Sequence, residues 1–257
     1  MTVKMKKIAM LMLTLCAAAT ATLHAQNYMV VKTDDGEARY DVTKIKEVYF
    51  KNDMAVKTND DEEHYDVAKV KEVTFVEFNP ADYDNTIDIN SPEGEIGMLY
   101  GREAMVITLA GEKMAIATCN VGAETPEDCG SYYSFTAAKR AQNNGEWGYG
   151  WRLPTIQEIA TLLYYNEVIP FSFTRHGDVA GAEWLFGTLR TALFFPLAGE
   201  YSYGEVTGYG EVGYYWTSSS AGDGAWCLGL MDNDTCYVNA YETDVLSVRP
   251  VCALPEP

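Results

Sequence analysis

Histidine and positive charge are scarce in this chain. Three histidines stand among 257 residues, and 19 lysines and arginines face 37 acids for a formal net charge of −18. That balance excludes bulk electrostatic binding to nucleic acid or to an anionic membrane, while it suits solubility and cationic partners. Beyond the first residues only His64 and His176 remain, so a Ser-His-Asp arrangement would rest on His176 alone. Ser218-Ser219-Ser220 reads instead as polar residues at a strand end. No G-x-S-x-G elbow and no phosphate-cradling glycine loop occurs. Nor is there a C-x-x-C pair, or enough histidine to complete a zinc site. After residue 25 no apolar stretch approaches the roughly 20 residues of a transmembrane helix.

What is present begins with a leader. Lys4, Lys6 and Lys7 precede the apolar run "IAMLMLTLCAAATATL", the plan of a secretory signal peptide over residues 1–25. Cleavage after Ala25 would leave Gln26 first, and Ala19-Thr20-Ala21 offers a second A-x-A site. Leu15 before Cys16 argues against a lipoprotein. The mature chain is therefore expected to be exported and soluble, or tethered by something other than its own helix. It keeps Cys119, Cys129, Cys227, Cys236 and Cys252, an odd number that leaves at least one thiol without an internal partner. Cys227 and Cys236 flank a predicted turn at Asp232-Asn233-Asp234 and form the candidate disulfide.

A duplicated unit follows. "VKTDDGEARYDVTKIKEVYF" (31–50) matches "VKTNDDEEHYDVAKVKEVTF" (56–75) at 13 of 20 positions with no gap, so residues 26–78 are read as a repeated β-hairpin module. Each unit predicts strand, Asp-rich turn, strand, short turn and strand. Neither buries a core alone, so the two must pack together. The acidic turns lack the D-x-D-x-D-G spacing of a calcium loop and read as solvated hairpin turns. The units resemble short β-rich repeats that follow the signal peptide in exported proteins of Bacteroidetes-type bacteria. That resemblance implies the periplasm, cell surface or exterior of a Gram-negative cell. Residues 79–96, with two prolines, five acids and no base, read as an acidic linker.

The larger domain is placed at 97–253. "MVITLAGEKMAIATCNVG" predicts a hairpin turning at Ala110-Gly111, and Phe135 to Gln142 a short helix. In "GYGWRLPTIQEIATLL", Thr155 and Glu158 make a capping box, and Pro154 sets the corner before the cap. Ile156, Ile159, Ala160 and Leu163 share one helical face. Arg152 has no such local role and needs an acceptor. The remainder reads as β-rich.

Taken in order, "GEKMAIATCNVG", "YYSFTAAKRA", "GWRLPTIQEI", "GYYWTSSS", "AWCLGL" and "LSVRPV" resemble the Fibrobacter major paralogous domain, of the C-type-lectin-like superfamily. The resemblance implies an α+β fold: two helices on a small antiparallel sheet whose first and last strands pair. Arg152, Pro154, Thr155, Glu158, Trp216 and Arg249 would be its structural markers, with both arginines near the sheet and held by carboxylates or carbonyls. The chain departs from that pattern in lacking a cysteine shortly before G-W-R-L-P and Glu-Trp in the second helix, which puts the family's usual disulfide framework in doubt.

The corner also occurs in formylglycine-generating, sulfatase-modifying enzymes of the same broad fold. Those need paired reactive cysteines that bind copper and an N-V-W-E-W segment, which is missing here. Calcium-dependent lectins of this fold use an E-P-N or Q-P-D loop and a W-N-D segment. Asn233-Asp234-Thr235-Cys236 resembles only the second, so no cofactor is expected and calcium is the one ion with a partial motif. The aromatics are the remaining lead. Trp216 and Trp226 are expected in the core, whereas Tyr201, Tyr203 and Tyr209 in "EYSYGEVTGYG" are expected to form a recognition surface. The sequence therefore points to an exported, non-catalytic binding or adhesion protein. A glycan or protein ligand would dock on long loops between Phe171 and Tyr215. The competing expectations are a thiol or copper oxidoreductase and a structural surface component.

Overall fold

The computed structural model describes residues 27–41, 45–50, 53–58, 62–66, 68–77, 83–164, 170–202, 204–231 and 234–255. The expected leader, Tyr203, and Asp232-Asn233 of the predicted turn lie outside the described residues. The chain is mainly β-sheet with two short helices, an α+β-like organisation. Among the described residues no helix is long and apolar enough to cross a membrane.

The duplicated units exchange strands. The first contributes β1 (Asn27–Lys32), β2 (Glu37–Asp41) and β3 (Ile45–Phe50); the second contributes β4 (Met54–Thr58), β5 (Glu62–Tyr65) and β6 (Glu72–Glu77). The sheets are ordered β2-β1-β6 and β3-β4-β5, so each hairpin takes its third strand from the other repeat. Val31 faces Val73, and 25 residues on Val56 faces Val48, the pairing expected of a pseudo-twofold. The buried Met29 and Val31 have Met54 and Val56 as their repeat equivalents in one small core. Tyr40 and Tyr65, also equivalent, hydrogen-bond through their hydroxyls and share the Glu63 carboxylate. Asp34 and Asp35 of the first acidic turn pair on the surface with Lys71 and Lys69.

In the larger unit, β7 (Ile96–Leu99), β8 (Arg102–Leu109), β9 (Glu112–Ala117) and the C-terminal β20 (Val251–Ala253) form a sheet ordered β20-β9-β8-β7. Strand β8 is buried on both faces: Ala104 and Val106 enter one core, Met105, Ile107 and Leu109 another. Its turn to β9 uses Ala110 (φ 51°) and Gly111 (φ 86°), the left-handed pair of a tight hairpin. The segment read as a linker is a correction. From residue 83 it runs against this sheet, with Thr86 N donating to Met98 O at 2.9 Å and Gly94 N to Val106 O at 2.8 Å. Its Ile87 is 2% exposed, an apolar anchor that the acidic composition concealed.

Helix α1 (Phe135–Asn143) is capped by the Ser134 hydroxyl, which accepts from Ala137 N, and buries Phe135, Ala138 and Ala141. Helix α2 (Ile156–Tyr164) packs on β8 and on β16 (Val212–Ala221). Strands β10 (Tyr132–Ser134), β14 (Glu200–Ser202), β15 (Glu205–Thr207), β17 (Gly224–Met231), β18 (Asp234–Tyr241) and β19 (Val245–Ser247) join β16 in a sheet ordered β15-β14-β19-β16-β17-β18, with β10 on β19. The stretch expected as long loops from Phe171 is largely strand. It holds β11 (Phe171–His176), β12 (Val179–Phe186) and β13 (Thr191–Pro196) in one sheet, followed by the β14–β15 hairpin.

Candidate functional site

Arg152 bridges the corner to the last strand: its backbone exchanges two 2.9 Å hydrogen bonds with Val251. Its guanidinium grips Glu158 through Nη1–Oε2 at 2.9 Å and Nη2–Oε1 at 2.6 Å, and Nη1 also donates to Leu153 O at 3.0 Å. Glu158 Oε2 accepts from Thr155 N at 2.6 Å, and Glu158 N donates back to Thr155 Oγ1 at 3.2 Å, the reciprocal cap expected from the sequence. Burial pushes the Glu158 carboxyl up, but the Arg152 and Thr155 hydrogen bonds outweigh it and hold it below the usual carboxylate value. The buried Pro154 offers its carbonyl to Ser218 N at 2.8 Å, and Ser219 Oγ accepts from Ile156 N at 3.0 Å. The serines after Trp216 therefore tie β16 to the start of α2. The helical face divides: Ile159 enters the core and the partly buried Leu163 packs against it, whereas Ile156 and Ala160 line an open apolar groove with Trp226 and Tyr237.

Trp216 is fully buried and donates from Nε1 to Tyr133 O at 2.7 Å. Trp226, expected beside it in the core, instead occupies the opposite face of β17 and is only partly buried in the groove wall. Arg249 is 1% exposed, and among the described residues no carboxylate pairs with it. Nε donates to Asn120 Oδ1 at 2.8 Å, Nη1 to Ala117 O at 3.2 Å and to Thr118 O, and Nη2 to Phe194 O at 3.1 Å. Its Cζ lies 4.3 Å from the centre of the Phe195 ring. Burial pulls this guanidinium down to about 10.

The candidate disulfide is not formed; all five described cysteines are free thiols. The β17–β18 register sets Cys227 against Val238 and Cys236 against Gly229. The two sulfurs are thus diagonal neighbours, about 7–8 Å apart at Cα, beyond what a disulfide spans without backbone movement. Burial pushes the Cys227 and Cys252 thiols up to about 12. His176 serves as a clasp: Nδ1 lies 3.0 Å from Glu127 Oε1, Nε2 2.9 Å from Glu183 Oε2, and the ring stacks on Phe194 at 4.0 Å. Among the described residues no group of three or more His, Cys, Asp or Glu stands close enough to hold a metal ion.

Tyr201 and Tyr209 are exposed, at 41% and 52%. Tyr201 faces Val206 across the β14–β15 hairpin, and Val206 is itself 40% exposed, so the pair shares one outward face. The Tyr201 ring leans on Tyr132 at 6.2 Å. The hairpin is anchored at its base by Gly199 N to Val212 O and Gly210 N to Leu197 O, both 2.7 Å. Gly199 is required there: at φ 68° an added Cβ would lie 2.1 Å from Thr207 O. Beside the hairpin an open cleft of about 390 Å³ is bounded by Phe173, Arg175, Leu197 and Glu211.

One feature escaped the sequence. Tyr100, Gln142, Tyr149, Arg152 and Cys252, spread over more than 150 residues, line a cavity of about 410 Å³ behind the corner. The glycines of "GEWGYG" are the local signal that marks it, since Gly145, Gly148 and Gly150 all take left-handed φ values in its wall. No protein-family model, curated protein or solved structure matches this chain.

Proposed function

We propose that this is an exported, non-catalytic binding or adhesion protein whose larger unit has a C-type-lectin-like fold. Its ligand, a glycan or a protein, docks on the β14–β15 hairpin and the cleft beside it. One observation carries the reading. Of six large hydrophobic residues exposed among the described residues, two (Tyr201 and Val206) stand on this anchored hairpin and a third, Tyr209, follows two residues after it. Tyrosines on a pre-shaped scaffold give rigid contact area at small entropic cost. The fold assignment is supported by two helices beside mainly antiparallel sheets, with one parallel pair between β16 and β19, and by β20 closing onto the sheet of β7–β9. The order of the G-W-R-L-P-T, Y-W-T-S-S and S-V-R segments supports it too. The non-catalytic reading is supported by thiols that burial keeps protonated at neutral pH and by a histidine already engaged on both ring nitrogens.

A glycan array and a pull-down with the wild-type chain and a Tyr201→Ala/Tyr203→Ala/Tyr209→Ala variant test this. Binding is expected in the wild type and lost in a variant that keeps its thermal transition. Unchanged binding in the variant removes the proposed surface.

A further inference from the structure

Behind the Arg152 corner, the turn between β7 and β8, the end of α1 and the C-terminal strand enclose the cavity of about 410 Å³, within the range of about 300–1,000 Å³ usual for small-molecule sites. We infer that it binds one uncharged sugar unit, a neutral hexose or N-acetylhexosamine, at a site separate from the hairpin surface.

The wall is built for a ring. Tyr100 and Tyr149 meet edge to face there, with centroids 4.8 Å apart. Tyr100 holds φ at +46°, a left-handed conformation that a bulky side chain seldom adopts and that Asn or Gly would take more easily. Strain of this kind persists where the surroundings over-determine it, and here it places an aromatic ring in the cavity wall. The polar groups are few and fixed. Gln142 Oε1 accepts from Leu153 N at 2.7 Å, which orients the amide, and among the described residues no group accepts from its NH2. Asn143 adds a second amide to the wall. Arg152 spends three of its five N–H donors on Glu158 and Leu153, leaving two.

These groups select the ligand class by charge. The Arg152 charge is already neutralised by Glu158, and a chain of net −18 repels anions, so a carboxylated or sulfated ligand has no net attraction. Among the described residues no Asp or Glu lines the cavity to hold a cation. An apolar ligand would strand the amide and guanidinium N–H groups. A neutral sugar fits all three constraints: its hydroxyls both donate and accept, and its C–H face lies against tyrosine.

The test titrates the full-length chain with free glucose, galactose, mannose, N-acetylglucosamine and N-acetylgalactosamine, with glucuronic acid as the charged control. Trp151 lines the cavity, so tryptophan fluorescence reports occupancy. At least one neutral sugar is expected to saturate the signal with a dissociation constant of about 1 mM or tighter, and glucuronic acid to bind more weakly. Asn143→Ala should weaken that sugar about five- to tenfold. Ala253→Trp, which fills the rim from an exposed position on β20, should abolish binding. If Ala253→Trp lowers the melting temperature, the Asn143→Ala result decides alone. Replacing Tyr201 and Tyr209 should leave the sugar affinity unchanged, which separates this site from the hairpin. The inference is overturned if no neutral sugar saturates, if glucuronic acid binds as well as the best sugar, or if a folded Ala253→Trp or Asn143→Ala chain binds like the wild type.

Discussion

Replacing Arg249 by methionine, a side chain of similar length, asks whether this buried cation holds the larger unit together or merely fills space. Its four hydrogen bonds reach Asn120 and the carbonyls of Ala117, Thr118 and Phe194, and so tie β9, the loop after it and β13 to the chain just before β20. At about 1.5–3 kcal/mol for each bond from a charged donor, they contribute about 6–12 kcal/mol. Against this stands the cost of burying the guanidinium. Its fall from 12.5 to about 10 corresponds to about 3 kcal/mol. Removing Arg249 returns that cost but leaves four buried acceptors unpaired, so the net loss should be at least about 3 kcal/mol. A space-filling role would give less than about 1.5 kcal/mol, the usual cost of a volume-conserving swap. All five tryptophans lie between residues 147 and 226, so urea unfolding followed by tryptophan fluorescence reads the larger unit without the duplicated module. Arg249→Lys keeps the charge but not the fork, and should fall between wild type and Arg249→Met. A loss below about 1.5 kcal/mol for Arg249→Met would refute the reasoning.

Thr155→Ala removes one arm of the α2 cap and should cost about 1 kcal/mol in the same unfolding assay. For His176, burial lowers the imidazole pKa but hydrogen bonds to Glu127 and Glu183 overcome it, leaving the folded value above the ordinary 6.5. The clasp therefore stabilises the fold fully below pH 6.5 and loses its contribution as pH rises through the folded value. His176→Gln should flatten that part of the stability profile, as followed by thermal melts across pH. Thiol labelling of the native chain should leave Cys227 and Cys252 unmodified until denaturant is added, since both are buried with pKa values near 12. Rapid labelling of either would restore the oxidoreductase alternative.

Local partnerships were legible in the sequence, and long-range choices were not. Thr155 and Glu158 are three residues apart, so the cap is written in one turn of helix. The duplication was equally plain, yet its strand exchange was not: β3 and β6 both carry the repeated Glu-Val-x-Phe run, and either hairpin offers either of them the same apolar face. The Cys227–Cys236 pairing failed on register, which the hairpin turn sets and a two-residue offset undoes. Trp226 was placed in the core beside Trp216, but strand alternation sends Ala225 and Cys227 inward and Trp226 to the other side. Acidic composition concealed Ile87, because one buried side chain is enough to dock a segment that otherwise reads as a spacer. The cavity was invisible because its walls come from segments that only the closure of β20 brings together. The exposed Tyr201 and Tyr209 were legible from their glycine-rich surroundings, although Tyr201 rides on a short hairpin and Tyr209 on the turn that follows it, not on a long loop.

The most direct measurement is oxidative footprinting of the chain with and without the strongest ligand from the glycan array or pull-down. The account predicts that Tyr201 and Tyr209, both open to solvent in the free chain, become protected while Leu189 and Tyr241, more open still elsewhere, keep their reactivity. Protection at Leu189 or Tyr241 with Tyr201 and Tyr209 unchanged would contradict it.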